Sequence, residues 1–166
     1  MKLTAMLLAI LMLFAVPAMP QSASKYSSNT PFYCDMASAQ PITSFEQFSC
    51  RGITYHDASG LPDLEYFFQG GIPRNWFDLY QANPAISGQG TITAVTVFTL
   101  PSPLRPERGV TTIPGTFAFN WQITDSTGAV HSGTASGTWV NFQVCGGRGC
   151  YWWAPELHRN SITVNQ

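Results

Sequence analysis

The chain has 166 residues, enough for one domain with its own core, and 45% of them are hydrophobic, which excludes a disordered chain kept soluble by charge. Charged residues are only 10%, against about 25% in an average globular protein, so Ser, Thr, Asn, Gln and Gly must cover the surface. Eight Lys+Arg face nine Asp+Glu, and the arginines are scattered over Arg51, Arg74, Arg105, Arg108, Arg148 and Arg159; this excludes a phosphate-tracking surface and hence nucleic acid as a partner.

Met1-Lys2 supplies a positive start, residues 3–16 are apolar except for Thr4, and Pro17-Ala18 follows. That order of a charged end, an apolar run and a small residue predicts a secretory signal peptide over residues 1–18. The run falls short of the roughly 20 residues a spanning helix needs, and no membrane association is expected once it is removed. Cleavage after Ala23 is the alternative, with Gln21 then in a position that prefers a small side chain. Loss of Lys2 leaves seven Lys+Arg against nine Asp+Glu, a formal net charge of −2. The expected location is secreted or periplasmic.

Residues 19–30 are Ser-rich and non-periodic and read as a flexible lead-in to a single domain over residues 31–166. Strands are predicted at 30–35, 45–50, 52–56 and 64–69, the last two separated by the turn-forming run 57–63. Residues 73–82 are the one helix candidate, with Trp76, Leu79 and Tyr80 on a shared face and Pro84 beyond its end. Residues 91–100 are rich in Thr, Val and Ile, as a strand should be. The clearest alternation follows, with Phe117, Phe119, Trp121 and Ile123 on one face, then a turn at 125–128. The return over 129–144 is expected to bury Val130, Val140, Phe142 and Val144, with Gly133 and Gly137 marking a bend. Short strands at 151–153 and 161–165 complete a mostly β, antiparallel β-sandwich with one short helix; a small β-barrel is the alternative.

Cys34, Cys50, Cys145 and Cys150 make an even count in an exported chain, which reads as disulfides. Local pairing, Cys34–Cys50 and Cys145–Cys150, is favoured over the other two connectivities. The spacing fits neither a zinc pair nor a C-x-x-C redox motif. His56, His131 and His158 have no metal-ligand spacing, and the oxygens of Asp57, Ser59, Asp63 and Glu65 match no calcium loop. No metal or cofactor is expected.

Setting Cys145 opposite Cys150 places Gln143 opposite Trp152, and Trp152 then points outward with Trp139, Asn141 and Gln143. Flat aromatics among neutral amides suit a neutral polyhydroxylated ligand, so these four residues are the candidate ligand-binding set. Cover by the N-terminal half would instead make both tryptophans core. The leading expectation is an exported non-catalytic binding or structural protein whose partner is an extracellular glycan or protein. The alternatives are a small hydrolase using Asp63, Glu65 or His56, and a protease inhibitor presenting Arg148 on the disulfide-closed tip.

Overall fold

The computed structural model describes residues 22–34, 40–71 and 75–165, so the expected signal peptide lies outside the described residues. The architecture is organised by β7 (Gly115–Asp125), where Phe117, Phe119, Trp121 and Ile123 are all buried, as the alternation predicts. Large side chains at successive inward positions demand small ones opposite. On the neighbouring β8 (Val130–Val140), Gly137, Ala135 and Gly133 stand across from Phe117, Phe119 and Trp121. A Cβ on Gly133 would collide with the backbone oxygen of Thr163, and one on Gly137 would press on Asn160 and the Phe117 ring.

This pairing corrects the expected parity of β8. The odd residues face inward, Trp139 among them, while Val130 is 57% exposed. The physical reason is the turn: Asp125 and Ala129 close it, which aligns odd positions with odd ones across the hairpin.

Around β7 and β8 the remaining strands form one antiparallel sheet. In chain order they are β1 (Ala23–Ser28), β2 (Phe32–Tyr33), β3 (Ser49–His56), β4 (Pro62–Gln69), β5 (Trp76–Gln81) and β6 (Ile86–Phe98) before β7, with β11 (Glu156–Asn165) after β8. The sheet order is β1-β11-β8-β7-β6-β5-β4-β3, with β2 paired to β11 off this path. The eight strands of that path curl until β1 and β3 touch without a hydrogen-bonded ladder, giving a nearly closed barrel. Its interior is filled by stacked and edge-on rings, such as Phe77 on Trp121 at 4.7 Å between centroids. A separate hairpin, β9 (Gln143–Gly146) and β10 (Gly149–Trp152), leaves the barrel between β8 and β11.

Three local expectations change. The helix expected at 73–82 is replaced, over its described residues, by β5, whose Phe77, Leu79 and Gln81 point inward between β4 and β6. Aromatic residues fit a pleated, half-buried surface, and hydrogen bonds to two neighbours outweigh a weak helical periodicity. Residues 23–28 are not a loose lead-in but β1, paired with β11 along its length. Residues 45–47 form a single 3-10 turn before β3 begins. Both expected disulfides are present, Cys34–Cys50 and Cys145–Cys150. They fit an oxidising extracellular or periplasmic setting. Among the described residues, no helix is long and apolar enough to cross a membrane.

Candidate functional site

The four residues of the expected platform do not share one exposed face. Trp139 lies inside the barrel with no exposed surface, its ring stacked on Phe98 at 5.3 Å and its Nε1–H donating to the Thr99 carbonyl at 3.1 Å. Asn141, Gln143 and Trp152 belong instead to the excursion after β8. The register of β9 and β10 is the predicted one, with Cys145 opposite Cys150 and Gln143 opposite Trp152. The facing is inverted: Trp152 is 4% exposed, whereas Tyr151 is 42% exposed.

Asn141 explains what covers Trp152. The chain leaves the sheet after Val140, and the buried Asn141 side chain ties two passing segments together. Its Oδ1 accepts from the Ile42 N–H at 3.1 Å, and its Nδ2–H donates to the Trp153 carbonyl at 2.9 Å. The segment beginning at Gln40 is thereby held beside the hairpin. Gln47 fixes the continuation, its Oε1 accepting from the Thr43 N–H at 2.8 Å. At the other side the Cys34 N–H donates to the Pro155 carbonyl at 2.9 Å, next to the Cys34–Cys50 bridge.

Between these segments lies a cleft of about 220 Å³ lined by Gln40, Pro41, Ile42, Gln47, Asn141, Trp152, Trp153 and Pro155. None of these carries a charge or a titratable group. Two indoles and three amides therefore converge on one small concavity. Gln143 stays at the edge of this region, its N–H donating to the Pro106 carbonyl at 3.1 Å. The sequence pointed to Asn141 and Trp152 but missed Trp153, Gln40 and Gln47. The adjacent tryptophans were the available signal for Trp153; nothing in the pattern marks the two glutamines, which arrive from a distant segment.

His56, Asp57 and Ser59 lie where β3 turns into β4, and Asp63 and Glu65 lie on β4. Ser59 turns its hydroxyl onto Asp57, so the run His56-Asp57-Ser59 forms a turn rather than a proton relay. The Ser59 hydroxyl and the backbone N–H groups of the turn hold the Asp57 carboxyl below its usual range. Glu65 is exposed and Asp63 half-buried on β4, and no cluster of His, Cys, Asp and Glu fit for a metal occurs among the described residues. Among the described residues, Asp125 contacts His131 at 2.8 Å and Glu156 contacts His158 at 3.0 Å. Arg148 is exposed at a tip whose base is the Cys145–Cys150 bridge, within a tight turn between paired Gly146 and Gly149.

Against family models, curated proteins and solved structures the chain matches none, so the residues themselves carry the functional argument.

Proposed function

We propose that this chain is an exported, non-catalytic domain that binds a neutral glycan through the Trp152–Trp153 cleft. The observation that supports it is the lining: two indoles and three amides with no ionisable side chain. Ring faces take the apolar C–H surface of a sugar, and the exposed Gln47 amide reaches its hydroxyls, while Asn141, bonded to Ile42 and Trp153, holds the walls in place. A cleft of about 220 Å³ lies below the roughly 300–1,000 Å³ of drug-sized sites, which fits a single terminal unit rather than a long chain. The same lining argues against catalysis at this point, because it offers no proton donor or acceptor of tunable pKa. The inhibitor reading has less support, since the tight turn carrying Arg148 does not present an extended segment to a protease cleft.

The test is a glycan array followed by calorimetry on wild type and Trp153→Ala. Trp153 is half-buried, so its loss should leave the melting temperature nearly unchanged while weakening binding about tenfold. Retention of no neutral glycan by the wild type, or equal affinity in the variant, overturns the reading.

A further inference from the structure

The barrel is unsealed between β1 and β3, and a groove of about 760 Å³ runs along that seam. Its walls include Tyr26, Phe32, Ile53 and Tyr55, which supply apolar surface, and Ser28 and Thr54, which supply hydroxyls. Asn160, from the irregular step in β11, also lines it. We infer that this groove is a binding site for a small amphipathic molecule: an apolar body carrying a neutral hydroxyl or amide head.

Three observations carry the assignment. The volume falls within the roughly 300–1,000 Å³ typical of small-molecule sites. Two walls hold buried polar atoms with unmet demands: Asn160 is 2% exposed with its Oδ1 unpartnered, and the hydroxyl of Tyr55, 6% exposed, completes no aligned hydrogen bond. A buried polar atom left unmet is costly, and a head that both donates and accepts relieves that cost. Finally, the basic groups of the walls, Lys25 and His56, are exposed rather than deep, and no carboxylate is among the walls. These walls therefore suit a neutral head.

Strand geometry decides against an inserted peptide. Seven successive antiparallel pairings lead from β1 to β3, so these two edges run antiparallel to each other. A single added strand would be antiparallel to one edge and parallel to the other, whereas a small molecule needs no such compromise. No ladder hydrogen bonds span the seam, and the Gln81 Nε2–H donating to the Tyr26 hydroxyl at 2.8 Å holds β1 in place beside it.

Fluorescence titration with naphthol tests this, with methylnaphthalene as the probe lacking a head. Naphthol should bind saturably at one site and several-fold more tightly than methylnaphthalene. Tyr55→Phe keeps the ring and should weaken naphthol by several-fold to about tenfold. Ser28→Trp, at a half-buried wall position, should abolish binding while the melting transition persists, and Trp153→Ala should leave naphthol affinity unchanged. No saturable binding to wild type, equal affinity for the two probes, or full binding in a folded Ser28→Trp protein overturns the assignment.

Discussion

Trp139 shows how far a single residue could be read from the sequence. Its chemistry was plain and its direction was not, because direction depends on one unit of register in β8. Once Gly133, Ala135 and Gly137 are set against the rings of β7, Trp139 must point inward, where it meets Phe48 at 5.1 Å and Phe98 at 5.3 Å. Trp139→Ala is thus expected to cost about 3–5 kcal/mol and to leave the Thr99 carbonyl without its indole donor. Urea unfolding of that variant measures it; a loss below about 1 kcal/mol would contradict the core placement. Gly133→Ala is expected to destabilise as well, since the added methyl meets fixed backbone at Thr163 rather than a side chain that can turn away. Small residues opposite large ones were a readable clue to the parity, and the turn closing at Asp125 was the other.

At the scale of elements, the hairpin turns were the most legible features. The turns β3–β4 and β7–β8 share a pattern, Asp57-Ala58-Ser59-Gly60-Leu61 and Asp125-Ser126-Thr127-Gly128-Ala129. In each, the Asp Oδ1 accepts from the backbone two and four residues on, and a glycine at φ 82° or 87° takes the left-handed position. Strand β5 was illegible by contrast, because a short aromatic run satisfies both periods until its partners are known. The turns carry a pH dependence. Hydrogen bonds from Ser59 hold Asp57 down, and those from Thr127 and His131 hold Asp125 down further. Carboxyls with lowered folded pKa stabilise fully above their unfolded value, about 3.9, and lose that contribution as pH falls through the folded one. Thermal melts below about pH 4 should therefore fall less steeply in the Asp57→Asn/Asp125→Asn double variant than in wild type; parallel acid limbs would refute the assignment. The disulfides divide in the same manner. Cys34–Cys50 closes a loop of 16 residues and is buried, whereas Cys145–Cys150 spans 5 and is exposed. Replacing the first pair by Ala is expected to cost about 3 kcal/mol and the second about 2 kcal/mol, by denaturant unfolding.

For the whole molecule, the mostly β antiparallel class was readable from the turns and alternations, and closure into a barrel only as the alternative to a sandwich. The strand that brings the barrel to its seam, β1, is a polar run of Ser, Lys and Tyr, and its ladder partner β11, more than a hundred residues away, gives it structure. Tyr26 on β1 and Tyr55 on β3 flank that seam, Tyr66 on β4 stacks on Tyr55 inside the barrel, and the three set the alkaline limit of the fold. Burial pushes Tyr55 up to about 12, with the Tyr66 hydroxyl drawing it slightly back. Burial, reinforced by Tyr55, pushes Tyr66 well up, and burial with the nearby Asp63 raises Tyr26. A phenol whose folded pKa is raised stabilises fully below its unfolded value, about 10, and that contribution is lost as pH climbs toward the folded one. Stability should thus decline from about pH 10 upward, with the fold opening before these rings ionise. A near-ultraviolet absorbance titration alongside circular dichroism would reveal it: part of the tyrosine signal should appear only with loss of the β spectrum. Tyr66→Phe removes one such group and should shift the alkaline transition to higher pH. Reversible ionisation of all six tyrosines in one step near pH 10, with the β spectrum intact, would show that these rings are not sealed in the barrel.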